Sequence, residues 1–304
     1  MSSDNKQAWD TFWAREKRRG AMGGGGCLPS GWRGIDDMQT RAWQAFAKRL
    51  PKKARLLDVA TGDGRVMRKI LAVRPDLRPT GIDSATALPD APTGTKSKGS
   101  IDMAALPFDD GHFGAATSQF GFEYGDMPAA AAELYRVLRT GGSLGILCHR
   151  SDSPIVAHNR ARAEQIGWAL DDRAVIAAAR EALDDTDIAK VPTQVAAAPG
   201  IGADRFGEQS PAWEIAEAVR RTMVARSSTP RSQVAQILDT IESEARNELA
   251  RIASLEHAAG AAGNGRKLDE VVLAAGFAPR TQDPLYDGPG RAPFGTFLTY
   301  VKPA

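Results

Sequence analysis

Between residues 54 and 149, short apolar runs alternate with amphipathic stretches. Residues 55–60, 79–83, 97–101, 114–119 and 143–149 read as strands, and residues 65–74, 85–90 and 127–138 as helices. Strand and helix in alternation demand a parallel sheet with helices on both faces, and they collect ligand contacts at the carboxyl ends of the strands. Ahead of this region, Trp9, Phe12, Trp13 and Ala14 fall at helical spacing within residues 5–19. Residues 20–29, with four consecutive glycines, read as a flexible loop. Residues 36–50 predict a second helix with Met38, Ala42, Trp43 and Phe46 on one side, ended by Pro51. We expect Trp43 and Phe46 to bury against the sheet, while Trp9 and Trp13 are candidates for a binding role.

The pattern changes after residue 150. Residues 153–170, 171–184 and 210–226 are Ala- and Arg-rich with helical period, and Thr229-Pro230 opens a long helix over 230–259. Residues 191–202, with two prolines and two glycines, read as an exposed loop. A helix at 268–275 and strands at 277–286 and 294–302 complete the chain, with Pro289 and Pro293 in the connecting loop. The division that follows is 1–53, 54–150, 151–265 and 266–304, with no internal repeat.

The run Asp58-Val59-Ala60-Thr61-Gly62-Asp63-Gly64 carries the first chemistry. A buried strand breaks there into a glycine turn and opens a helix. Gly62 and Gly64 let backbone approach a ligand that a Cβ would hold off. Asp83 follows about 20 residues later at the end of the second strand, where a carboxylate accepts hydrogen bonds from ribose hydroxyls. These features predict a nucleoside pocket. The dinucleotide fingerprint asks for a third small residue, and Met67 stands there instead.

Residues 58–64 resemble the first motif of class I S-adenosylmethionine (SAM)-dependent methyltransferases, with Ala60 where many members carry glycine. Asp83 is similar to the acidic end of their second strand. Asp102-Met103, Leu106-Pro107-Phe108-Asp109 and Phe113 resemble their "D-x-x-x-LPF" stretch. Residues 134–142 resemble their "RVL-x-PGG" turn, with Thr140 for proline. The likeness is nearest to the type 11 group that includes ubiquinone/menaquinone-biosynthesis methyltransferases, and it covers residues 50–150 and 266–302.

The resemblance implies an α/β, Rossmann-like fold: a mostly parallel seven-stranded sheet with an antiparallel last strand, N-terminal helices, and a helical insert between strands five and six. It implies SAM as methyl donor, with S-adenosylhomocysteine as product. Asp58, Ala60, Thr61, Gly62, Asp63 and Gly64 would meet the amino-acid end. Asp83 and Ser84 would meet the ribose, and Asp102 and Met103 the adenine, with Gln119 and Phe120 nearby. Residues 1–53 would form a lid and residues 151–265 a cover over the acceptor.

Methyl transfer to a hydroxyl or an acidic carbon needs a base. Glu123 and Tyr124 follow the fourth strand where many relatives carry "leHv-x-D"; Tyr124 takes the histidine's place. Glu123 could act as base or cap the following helix, and Tyr124 could orient substrate. His149, ending the fifth strand, is another candidate base. Trp9, Trp13 and His158 are candidate acceptor contacts, whereas His112 and His257 read as surface residues. No Asn/Asp-Pro-Pro-Tyr/Phe follows the fourth strand, which weighs against methylation of bases or amides.

Composition narrows the rest. In 304 residues the net charge is +2, with a basic first segment and a mildly acidic insert, giving no continuous track for nucleic acid. Cys27 and Cys148 are the only cysteines, and no His or Cys spacing resembles a metal site. No apolar stretch approaches the ~18–20 residues that span a bilayer, and residues 1–6 resemble no targeting signal. We therefore expect a cytoplasmic SAM-dependent methyltransferase that modifies oxygen or carbon of a small, partly apolar molecule. The competing readings are a silent SAM-binding scaffold and a methyltransferase of protein, peptide or RNA. Nothing in the sequence sets the oligomeric state.

Overall fold

The computed structural model describes residues 3–19, 32–184 and 190–304. The glycine-rich loop, Cys27, and Asp185 and Asp187 of the acidic insert lie outside the described residues. By internal contacts the chain divides into two units, residues 1–156 with 253–304, and residues 157–252.

The first unit opens with helices α1 (Ser3–Arg19) and α2 (Arg33–Lys48). Strand β1 (Arg55–Val59), helix α3 (Arg65–Leu71), and strands β2 (Arg78–Ile82), β3 (Lys96–Lys98) and β4 (Phe113–Gln119) follow. Helix α4 (Met127–Val137) leads into β5 (Leu138–His149). Asp126 caps α4 by accepting the Ala129 N–H at 3.1 Å, with proline in its first turn. The chain then runs through α5 (Pro154–Gly167), α6 (Val175–Glu181), α7 (Thr193–Phe206), α8 (Pro211–Val224) and α9 (Arg231–Ala262). It ends with α10 (Arg266–Ala274), β6 (Ala278–Leu285) and β7 (Gly295–Val301).

The seven strands form one sheet in the order β3-β2-β1-β4-β5-β7-β6. All pairings are parallel except those of β7, which runs antiparallel to both β5 and β6. Successive strands step away from β1 in one direction and β4 begins the other, so a crevice opens at the carboxyl ends of β1 and β4. Alternating side chains load both faces. Leu57, Val59, Leu144, Ile146 and Cys148 pack with α4 and α10. Leu56, Ala115 and Leu147 pack with α2 and α3. Trp43 and Phe46 are buried on this second face as expected, edge-on to Phe297 and close over Gly145.

Two motifs that stand apart in the sequence form one clamp. Arg136 of the "RVL" segment donates to the carbonyls of Leu106 and Phe108 at 3.0 and 2.7 Å, while Glu133 accepts the Leu106 N–H at 2.7 Å. The "LPF" stretch is thereby held against α4.

The second unit is all helical and has its own apolar cluster. Val175, Ile176, Val195, Ala198, Val219, Met223, Val234 and Leu238 belong to it. Residues 193–206 form α7, across most of the loop expected at 191–202. Pro192 sits at its N-cap, where a missing N–H costs nothing, although Pro199 lies inside it. Burial of Val195, Ala198 and Gly202 outweighs the local proline and glycine signal, and Gly202 lets the helix approach Trp168. The expected helix at 171–184 is shorter, running over Val175–Glu181 after a π-helical turn at Trp168–Asp172. No helix forms at 85–90, and β3 runs over Lys96–Lys98, meeting the expected 97–101 only at residues 97 and 98.

Candidate active site

The carboxyl end of β1 turns sharply because three residues there adopt positive φ: Ala60 (+55°), Gly62 (+51°) and Gly64 (+69°). Ala60 carries a Cβ in this left-handed conformation, at a cost of about 1 kcal/mol. Phe120, just past β4, holds the same strained geometry (φ +53°). Backbone strain at two adjacent strand ends is typical of a functional site.

Gly121 sits between them. Its φ of −145° suits any residue, but a Cβ there would overlap that of Ala60. Gly121→Ala is therefore expected to lower stability by ~1–3 kcal/mol. Ala60→Gly in the same chain should restore most of the loss, as measured by urea unfolding.

The turn is held by two aspartates. Asp58 is 1% exposed and accepts hydroxyl hydrogen bonds from Thr61 and Thr117, each at 2.7 Å. Burial lifts its pKa to about 7, against the opposing pull of those two hydroxyls. Asp83 ends β2 and accepts the N–H groups of Gly62 and Ala85, both at 3.0 Å. Burial raises its pKa too, and the nearby charge of Asp10 adds to this. Asp63 is turned to Arg65, and its hydrogen bonds to that guanidinium hold its pKa below the usual range despite burial.

These residues suit the amino-acid and ribose portions of SAM. The Asp83 carboxylate has lone pairs left after the amides of Gly62 and Ala85. Ser84, past β2, and the strained Phe120, past β4, stand on either side of the β1 strand end. Asp102 is exposed with its carboxylate capping the Ala104 N–H at 3.0 Å, and Met103 is half-buried beside Gly125.

Two expected contacts point elsewhere. The Gln119 amide is engaged by Trp43 Nε1 at 2.6 Å and by Gln39, so its side chain serves α2. The Asp58 carboxylate faces its two threonines, so its part is to brace the turn.

Helix α1 lies over these strand ends. The Trp13 ring fills the space that a Cβ on Gly62 would take. Asp10 accepts the Thr86 N–H at 2.7 Å, and Trp9 meets Tyr124 edge-on at 5.5 Å. Trp13 thus adjoins the glycine turn, while Trp9 adjoins the end of β4. His158 belongs to the helical unit, where burial lowers its pKa.

The catalytic candidates converge. Glu123, 2% exposed, neither caps α4 nor faces solvent. Its Oε1 accepts the backbone N–H of His149 and lies 2.8 Å from His149 Nδ1. Phe120 stacks on the His149 ring at 4.2 Å, and Tyr124 meets it edge-on at 5.8 Å. Sequence reasoning missed Asp10 and Thr117. Neither carries a local signal, because each acts across a tertiary contact. The strain at Ala60 was legible in principle, since alanine stands in a glycine's place.

Residues 57–146 match the family model for a methyltransferase domain. Over 115 residues the chain is 37% identical to the demethylmenaquinone methyltransferase of Thermus thermophilus, an alignment covering 35% of this chain and 51% of that protein. Over 128 residues it is 34% identical to a ubiquinone/menaquinone biosynthesis C-methyltransferase of Geobacter sp., covering 38% and 53%. The chain spans about half the length of the curated relatives it matches. A solved SAM-dependent methyltransferase from Thermotoga maritima, titled a possible histamine N-methyltransferase, aligns over 98% of this chain and 99% of its own at 11% identity and a TM-score of 0.44.

Sheet order, the glycine turn and the Asp83 carboxylate just past β2 define a Rossmann-like core suited to a nucleoside. Together with the family match, they make this core a class I SAM-dependent methyltransferase domain, with SAM as its cofactor.

Proposed function

We propose that the whole protein is a cytoplasmic enzyme that transfers the methyl group of SAM to oxygen or carbon of a small, partly apolar molecule. The observation that carries this reading is the aromatic wall at the ends of β4 and β5. Trp9, Tyr124, Phe120 and His149 form one chain of ring contacts beside the glycine turn. Such a wall favours a flat or apolar acceptor, since ring faces bury apolar surface and dictate orientation. The relatives, named as demethylmenaquinone and ubiquinone/menaquinone methyltransferases, point the same way. Among the described residues no helix is long and apolar enough to cross a membrane.

SAM, when bound, supplies an electrophilic methyl carbon and keeps the bonding pair on sulfur. Residues 60–64 and 83 hold it by backbone and carboxylate, Asp102 and Met103 serve its adenine end, and Trp9 and Trp13 shape the entrance. The helical unit leaves the core shortly after His149 and re-enters before β6. We assign acceptor selection to it, with His158 among its contacts, because substrate choice on a shared fold resides in such additions.

The test uses SAM labelled in its methyl group, offered with a short-chain demethylmenaquinol, a catechol, bulk tRNA and a mixed protein fraction. Label should move into an organic-extractable product. Label found only in tRNA or protein would reject the small-molecule reading. SAM binding without any product would favour a silent scaffold. SAM should also change tryptophan fluorescence, and Trp13→Phe should remove most of that change.

A further inference from the structure

We propose that Glu123 and His149 form a proton-accepting dyad in which His149 Nε2 is the base and Glu123 is its positioning residue. The inference rests on the methyl-transfer reading and adds a division of labour between two residues that the sequence offers only as alternatives.

The geometry sets the roles. Glu123 Oε1 receives the His149 backbone N–H at 2.8 Å and lies 2.8 Å from Nδ1 of the same residue. An unprotonated Nδ1 would set its lone pair against a carboxylate oxygen at that distance, which is repulsive. Nδ1 therefore carries hydrogen and donates, and the neutral ring has its basic lone pair at Nε2. No described residue hydrogen-bonds to Nε2. The other carboxylate oxygen, Oε2, is buried and has no hydrogen-bond partner among the described residues. A fully enclosed carboxylate with one oxygen unsatisfied is costly unless it offsets a charge. An imidazolium at His149 is such a charge.

The ring itself is clamped. Phe120 stacks on one face at 4.2 Å with 26° between planes, and Tyr124 stands edge-on at 71°. The His149 side chain retains 8% of its surface, so the ring is reachable while Glu123 is closed off. The site lies at the carboxyl ends of β4 and β5, on the same side of the sheet as the glycine turn and Asp83.

The step balances. An electron pair of the acceptor oxygen or carbon forms the new bond to the methyl carbon, and the carbon–sulfur pair stays on sulfur. The proton released from that oxygen or carbon passes to His149 Nε2. The imidazolium is held at Nδ1–H by the Glu123 carboxylate until the proton leaves to water.

One readout is independent of the acceptor. In protein labelled with 15N-histidine, His149 should show a protonated Nδ1 with a far-downfield proton, and an Nε2 with the shift of a bare lone pair. His149→Gln assigns the signal. Glu123→Ala should abolish the downfield proton, and Glu123→Gln, which keeps an acceptor oxygen and protects the fold, should move it upfield. A ground-state proton on Nε2, or a spectrum unchanged in both Glu123 variants, would overturn the dyad whatever the enzyme methylates.

The second readout is turnover of a short-chain demethylmenaquinol. His149→Ala should lower kcat by ~10²–10⁴-fold with SAM affinity kept, and added imidazole should restore part of it. Glu123→Gln should lower kcat at least ~10-fold with KM little changed. Near-parental turnover in both variants would refute the catalytic role. Wild-type SAM binding with the expected histidine spectrum but no turnover of this quinol would leave the dyad standing and fault the choice of acceptor.

Discussion

Asp83→Ala should weaken SAM binding by ~10- to 150-fold, the equivalent of ~1.5–3 kcal/mol for a charge-assisted hydrogen bond. The carboxylate ends β2 at 8% exposure, bonded to the amides of Gly62 and Ala85. Its loss removes the acceptor for the ribose hydroxyls and also releases the Gly62 amide, which helps fix the turn. Both effects weaken binding. Burial already disfavours the charge on Asp83 in the free protein, so the residue is retained at a cost to the empty fold. Titration calorimetry with SAM checks the prediction, with thermal unfolding of the variant as control. Equal affinity in a folded variant would show that the ribose is held elsewhere.

Asp58→Asn should flatten the pH dependence of stability and leave the protein more stable than its parent at pH 8. Burial raises the Asp58 carboxyl from 3.8 to about 7. The folded protein therefore holds a proton that the unfolded chain releases near pH 4. The stability due to that proton is complete below pH ~4 and is lost as pH rises to about 7, where the folded carboxyl ionises. Linkage sets the loss at about 4 kcal/mol.

Asparagine keeps an acceptor oxygen for one threonine and offers its NH2 group to the rotated hydroxyl of the other. The gain at pH 8 should approach that loss. A slope of the same sign should persist from Asp83, whose pKa burial also raises. Urea unfolding between pH 4 and 8 reads both curves. A flat parental curve, or a variant less stable than the parent at pH 8, would show that the fold does not disfavour the Asp58 charge.

The chain announced its core through local pattern. Short apolar runs alternating with helical stretches, the Gly62 and Gly64 turn and the acid at Asp83 each report what their own segment must do, so the parallel sheet and the nucleoside crevice were legible without coordinates. The last antiparallel strand followed from the family resemblance, and β7 occupies that place. Signals that depend on partners far away in sequence were not legible. Residues 193–206 carry proline and glycine that argue for a loop, but burial against α8 makes them helical. Gln119 sits beside the crevice in sequence, yet Trp43 and Gln39 draw its amide away.

The same limit governs the chemistry. From sequence alone Glu123 and His149 were two candidates for one task. Their separation of 26 residues gives no hint of contact, because it is the pairing of β4 with β5 that brings the segment after one strand to the end of the other. Sequence determined which residue types stand at the strand ends, since strands and turns are encoded locally. Only the tertiary structure decided which of them share a hydrogen bond, because the sheet register that joins them is set by the burial of both faces together.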